Sequence, residues 1–326
     1  MSKRVPGSRL RPVADFLETV GFVSKGDKKA CLVLTVFIDK DPRRLLDHAA
    51  QKEYFDTIVE RYMKFCAHHS KDLDAALTSL PTSSSNDVTS NPAAAQPSTK
   101  SNPAVRGGPP PSAELSTLLL SLRKLREAIL ATSVTTPAIF SQRVHVFSIR
   151  LSIRAQHPPS YFPSLRFSLD RLHSKAHPLP DCEVKEIVSY LILDYACRQN
   201  DMVSAFEWRA RARKEYGFQS QTIDNVLAAL MHDNWVVFWQ AHKSVDSYVR
   251  AVMNWAVGRV RRQALKAVGS AYLNVHVSWI VGGCTGDEES WTWEKLVEAE
   301  KLGWEKEGDK VIIRRPKPRP PQMPRA

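Results

Sequence analysis

From Asp181 to Tyr272 apolar side chains return every three or four residues, and only short polar turns interrupt them. That spacing commits the stretch to a succession of amphipathic helices. Val184, Ile187, Val188, Leu191 and Tyr195 form the first stripe, with Asp181 as the expected N-cap and Asn200 at its close. Met202 to Tyr216 gives a second helix stopped by Gly217, and Ile223, Val226, Leu227 and Leu230 mark a third. Asn234 opens a fourth with Trp235, Phe238 and Trp239, and Val245 to Tyr272 reads as one or two long helices that bury Tyr248, Val252, Trp255, Val260 and Leu265. Helix, short turn, helix predicts antiparallel pairs stacked as a solenoid-like layer, because each pair can bury its apolar face only against its neighbours.

Upstream the same period appears at Leu115, Leu118, Leu122, Leu125 and Ile129, with Arg123, Lys124 and Arg126 off the stripe. Residues 144–154 fit two patterns. Phe147, Ile149, Leu151 and Ile153 alternate as in a strand, whereas Val144, Phe147 and Leu151 share a helical face. His157, Pro158 and Pro159 are expected to stop that element, and Tyr161 to His173 resumes a short helical pattern before the break at His177 to Pro180.

Residues 81–112 replace nearly every large apolar side chain with Ser, Pro, Asn, Ala and Gly, which predicts a disordered linker. A flexible coil of that length separates its ends by about 30 Å. Ahead of it, Tyr54, Ile58, Tyr62 and Phe65 lie on one face of a helix over residues 49–69. A further helix is expected around Val13 to Phe22, and residues 31–38 read as a strand or the start of a buried helix. Residues 1–80 thus form an N-terminal helical segment.

Beyond the long helices the pattern changes. After a glycine-rich loop at residues 281–290, a helix from Trp291 to Lys301 capped by Gly303 is expected, then a hairpin from Trp304 to Arg314 turning at Glu307, Gly308 and Asp309. Helix followed by hairpin is the sequence order of a winged helix. The predicted fold is therefore mostly α, a helical-repeat layer over residues 113–274 capped by a winged helix over residues 275–314, with a disordered basic tail at residues 315–326.

With 46 basic and 34 acidic residues the formal charge is +12, which favours phosphate backbones, anionic membranes or acidic protein surfaces. No apolar run reaches the roughly 18 uncharged residues of a spanning helix, so no membrane contact is expected. The five cysteines are scattered without a CxxC pair, which fits reduced thiols and a nuclear or cytoplasmic setting.

Candidate chemistry is sparse. His173, His177 and Cys182, and separately Cys66, His68 and His69, have metal-ligand residue types but not a finger-like spacing. Gly282, Gly283 and Gly286 lack the lysine of a phosphate loop and precede Asp287, Glu288 and Glu289. Glu186 and Asp194 sit among core positions, where charge pairing is the expected role rather than acid-base work. The expectation is a chain that is not an enzyme and takes no cofactor, no metal and no small-molecule substrate. Basic groups at Arg209, Arg211, Arg213 and Lys214, and at Arg250, Arg259, Arg261, Arg262 and Lys266, read either as solvated faces and ion pairs or, with Arg314, Arg315 and Lys317, as a phosphate-binding stripe for RNA. Trp235, Trp239, Trp255, Trp279, Trp291 and Trp293 fit a core or base-stacking platforms.

Three stretches carry a resemblance: EIVSYLILDYACRQNDMVSAFEWRARARKEY, IDNVLAALMHDNWVVFWQAH with its His232, Asp233, Asn234, Trp235 to Phe238 turn, and VRRQALKAVGSAYLNVHVSWIV. Over about residues 112–314 they resemble the PCI-domain family, the scaffold module of the proteasome lid, the signalosome and translation initiation factor three. GANP-like messenger-RNA export scaffolds are an equally near branch. The resemblance implies that residues 144–154 are a helix of the repeat layer and that the job is assembly with other subunits of a PCI-type complex. It puts partner binding on the winged helix, where Trp291, Trp293, Leu296 and Trp304 are the expected contact residues, and leaves RNA as the alternative partner. Residues 1–80 match no part of the family pattern.

Overall fold

The computed structural model describes residues 44–80, 110–286 and 291–315, which are mostly helical with one small three-stranded sheet. The helix expected at Val13 to Phe22, the element at residues 31–38, residues 81–109, Asp287 to Glu289 and the tail from residue 316 lie outside the described residues. The described residues from Leu45 onward form one compact unit. Pro111 and Ser112, expected to end the linker, already form the first turn of a helix.

The helices are α1 (His48–His68), α2 (Leu73–Leu77), α3 (Pro111–Ala131), α4 (Ala138–Arg154), α5 (Pro158–Phe167), α6 (Asp181–Leu193), α7 (Met202–Tyr216), α8 (Gln221–Met231), α9 (Trp235–Ser244), α10 (Ser247–Ala271), α11 (Val277–Thr285) and α12 (Trp293–Glu300). The strands are β1 (Asn274–His276), β2 (Glu305–Glu307) and β3 (Lys310–Ile312). Side-chain caps explain half of the starts: Asp47, Asp201, Ser220, Asn234, Asp246 and Thr292 each accept a first-turn backbone N–H. Asp181 does not cap as expected; Pro180 takes that position and Asp181 lies in the first turn, where a carboxylate meets the positive end of the helix.

Helix α1 runs antiparallel to α3. Gln51 donates to Thr132 Oγ1 (2.8 Å) near one end, and His69 faces Glu114 (4.0 Å) at the other. Phe55 of α1 also meets Phe140 and Phe147 of α4 edge-on, at 6.0 and 5.6 Å between ring centres. The last part of the N-terminal segment is thus built into the body rather than tethered to it. Residues 144–154 belong to α4, as the resemblance implied. Val144, Ile149, Leu151 and Ile153 are buried together with His145, Ser148 and Ser152, so α4 is enclosed nearly all round and its stripe is blurred. Helix α4 ends at Arg154, ahead of His157, Pro158 and Pro159 as expected, and the two prolines then start α5, where a missing N–H costs nothing.

Two π-helical turns extend α5 and α6, at Ser168–Leu172 and Asp194–Arg198. The second presents Asp194, which is 0% exposed, to Tyr161 Oη (2.7 Å), the Arg198 guanidinium (2.7 and 2.6 Å) and Gln199 Nε2 (2.8 Å). Asn200 then leaves the helix in the left-handed region, φ 57°. Glu186 is likewise paired, receiving both arms of Arg150 (2.9 and 2.7 Å) and the Tyr190 hydroxyl (2.8 Å). Burial raises the pKa of Glu186, but these donors outweigh it and leave the carboxyl below its ordinary value.

Helix α10 joins two cores. Val252, Met253, Ala256 and Val260 pack into the large helical core with Leu191, Phe238 and Trp239, whereas Ala264, Leu265 and Val268 pack with Ile280, Cys284, Trp293, Leu296 and Val311. The second core underlies the sheet, in which β3 is central and antiparallel to both β1 and β2, in the order β1-β3-β2. Gly308, at φ 60°, turns the β2–β3 hairpin as the sequence predicts.

Candidate partner-binding surface

The C-terminal part is built in the order α10, β1, α11, α12, β2, β3, and its attachment to the helical layer is tight. The run of residues 281–290, expected to be a glycine-rich loop, is helical through Thr285: Ile280 and Cys284, four residues apart, both enter the second core and hold α11 in register. Gly286 ends α11 at φ 81°, and a β-carbon there would lie 2.6 Å from the Trp239 ring of α9. Only glycine fits both the backbone conformation and the contact. Trp235 packs against both cores. The following helix is Trp293–Glu300, shorter than expected, and ends at Lys301 in the left-handed region (φ 52°) instead of at Gly303.

Of the side chains expected to bind a partner, Trp293 and Leu296 are buried in the second core, Trp291 and Trp304 are half-buried against it. Trp304 closes over Gly269, where a β-carbon would come within 3.1 Å of the indole. Trp293 and Leu296 are therefore corrected from contact residues to core residues. Their spacing of three reported one helical face without saying that the face points inward. The exposed apolar group nearby is different: Tyr272 (46% exposed), Leu273 (51%) and Trp279 (44%), with the Tyr272 and Trp279 rings 5.7 Å apart. These residues flank β1, and the outer edges of β1 and β2 carry no strand partner among the described residues. Sequence reasoning placed Trp279 only among tryptophans that fit a core or a base-stacking platform; the sole hint was that Tyr272 and Leu273 follow directly on a helix end.

The basic residues divide by what they touch. Arg261 donates from Nε to Glu300 (2.7 Å) and lies 4.2 Å over the Trp291 ring, with Arg261 14% and Glu300 7% exposed at the side chain. Arg259 donates to the Ala196 carbonyl in the second π-turn (3.0 Å). Arg250 donates to the carbonyls of His242, Lys243 and Val245 and so closes the C-terminal end of α9. These three expected phosphate contacts are spent inside the fold. Arg314 donates to the Gly269 carbonyl (2.6 Å), and Arg315 bridges Glu305 and Glu307 across the hairpin while remaining exposed. Arg262 and Lys266 are exposed on α10, and Lys317 lies outside the described residues. In the other group Arg209 is paired with Asp224 and Arg211 with Glu215, while Arg213 and Lys214 are exposed. The outward charged residues of α12 are Glu294, Lys295 and Glu298, and Glu294 is paired with Lys306 of β2 at 3.4 Å.

Among the described residues no group of three or more His, Cys, Asp or Glu side chains is arranged to hold a metal ion. His173 Nδ1 accepts the Leu179 N–H (3.2 Å), which fixes the turn that carries it. No helix among the described residues is long and apolar enough to cross a membrane. No protein-family model matches the chain, and no curated protein sequence matches it.

Proposed function

We propose that the chain is a non-catalytic scaffold subunit of PCI type, which assembles with other subunits of a multi-protein complex through its helical layer and a C-terminal winged helix. The observation that carries this reading is α10, one helix that supplies the last element of the helical core and the first of the sheet module. Around it the order helix, strand, helix, helix, strand, strand, with the first strand against the last, is the order of a winged helix. On this reading the helices over residues 111–271 form the repeat layer, and the partner docks at Tyr272, Leu273 and Trp279 and the adjoining sheet edge, within the nucleus or cytoplasm.

RNA binding through α10 and the tail is the second reading. Exposed Arg262 and Lys266 favour it, and the internal use of Arg250, Arg259 and Arg261 weighs against it. The test is recovery of the tagged chain from its own cells at moderate salt, with and without nuclease. Protein partners at fixed stoichiometry should survive nuclease and be lost from the double variant Tyr272→Ser/Trp279→Ser at unchanged melting temperature. Loss of all partners on nuclease treatment refutes the scaffold reading in favour of RNA.

A further inference from the structure

A half-buried guanidinium with no carboxylate hydrogen-bonded to it is an unbalanced charge, and the helical body contains one. Arg126 of α3 is turned against α5, where Nη1 donates to the Ser160 carbonyl (2.6 Å) and to Ser164 Oγ, and its Nε is buried with no hydrogen bond. Beside it on α4, His145 is 5% exposed, lies 4.8 Å from the Phe167 ring, and has a buried Nδ1 that also bonds to nothing. Both side chains line a cavity of about 830 Å³ between α3, α4 and α5, whose walls are mainly apolar, with Leu119, Leu120, Pro163 and Phe167 among them. That volume is in the range of small-molecule sites.

The charge inside is close to a single positive unit. Arg126 stays cationic at neutral pH although burial brings it down to about 10. Burial, with the neighbouring Arg126 charge adding to it, pushes His145 down to about 3 and keeps it neutral. His157 on the rim is shifted down by the same two causes and meets Ser160 Oγ. The lining carboxylate, Glu127, is tied to the lining Arg123 at 2.8 Å, so that pair cancels itself. A monoanion balances the site and a phosphate dianion overfills it. A carboxylate supplies the single negative charge that the Arg126 guanidinium lacks, and guanidinium is the side chain best suited to hold one.

We propose that this cavity binds a small organic carboxylate carried on an apolar chain or ring, the carboxylate against Arg126 and His145 and the apolar body along Leu119, Leu120 and Phe167. The site is separate from the partner-binding surface, and its occupancy neither requires nor excludes the scaffold reading.

Titration calorimetry of the full chain with sodium octanoate tests it, with 1-octanol and octylamine as probes of equal length and different charge. One-to-one saturable binding of octanoate is expected, with a Kd below about 1 mM, and at least tenfold weaker binding of the alcohol and the amine. Arg126→Met should weaken octanoate at least tenfold. Because Arg126 also anchors α5, a second variant, Leu120→Glu, puts a competing carboxylate on the wall at a position that is 63% exposed, where a charged side chain stays in water. It too should weaken octanoate at least tenfold, at an unchanged circular dichroism spectrum. Absence of saturable octanoate binding, equal affinity for octylamine, or wild-type affinity in Leu120→Glu would overturn the proposal.

Discussion

Arg261 tests whether the basic face of α10 is built for folding or for phosphate. Replacing it with alanine leaves Glu300, at 7% side-chain exposure, without its partner, and removes the cation from the Trp291 face. An uncompensated buried charge costs about 3–5 kcal/mol, and the lost cation–π contact about 1 kcal/mol more. Folded chains are stable by only about 5–15 kcal/mol, so the loss takes a large share. With a urea m-value near 3 kcal/mol per M, the unfolding midpoint of Arg261→Ala should fall by more than about 1 M, read by far-ultraviolet circular dichroism. The double variant Arg261→Met/Glu300→Leu should regain most of that loss, because it removes both charges and keeps the volume. Arg262→Ala/Lys266→Ala, exposed on the same helix, should stay within about 0.5 kcal/mol of the parent. If Arg261→Ala loses less than about 1 kcal/mol, the ion pair is not structural and Arg261 returns to the list of available phosphate contacts.

Further outcomes follow from other contacts. Gly286→Ala should destabilise by more than about 1 kcal/mol, seen as a lower melting temperature, since it forces φ 81° on alanine and drives a methyl group into Trp239; an unchanged melting temperature would mean that α11 is not seated on α9. Asp194→Asn should cost about 3–5 kcal/mol in a urea titration by leaving Arg198 without its counter-charge beneath Tyr161, and a loss under 1 kcal/mol would contradict the described network. Stability should also fall as pH drops below 6.5, because the unfolded chain protonates His145 there while the folded chain does not until about 3. His145→Phe should flatten that slope, and a slope unchanged in the variant would show that His145 is solvated. Below about pH 4.5 a second loss should begin as Glu186, held under its ordinary value of 4.5 by Arg150 and Tyr190, and Asp224, held down by Arg209, take up protons.

What could be read from sequence was what repeats locally. The stripes from Leu115 to Ile129 and from Val184 to Val260, the polar caps between them and the Gly308 turn each depend on neighbours a few residues away, and they fold as their spacing requires. Helix α4 was ambiguous because enclosure on nearly all sides leaves neither a two-residue nor a helical period dominant. Gly282 and Gly283 pointed to a loop on composition, whereas the burial of Ile280 and Cys284 against α10 keeps the segment helical. The site residues were harder still. The partners of Arg259 and Arg261 lie 63 and 39 residues away, so nothing in the local run of charge distinguishes these two from Arg262. Nor does the spacing of Trp293 and Leu296 tell an inward face from an outward one. That Arg126 bonds to a carbonyl and a hydroxyl and to no carboxylate became visible only when α4 and α5 closed around it.

Because α10 belongs to both cores, the angle between the helical layer and the sheet module is set by a continuous helix about 37 Å long and not by a linker. The two are arms of one piece, joined through a helix that both cores share. A partner that touches both arms meets them already aligned and forfeits no entropy in ordering one against the other. Any assembly built on this chain therefore takes its interface geometry from the pitch of α10, and one residue added to or deleted from the segment between Val260 and Ala264 would swing one arm about 100° around the helix axis relative to the other.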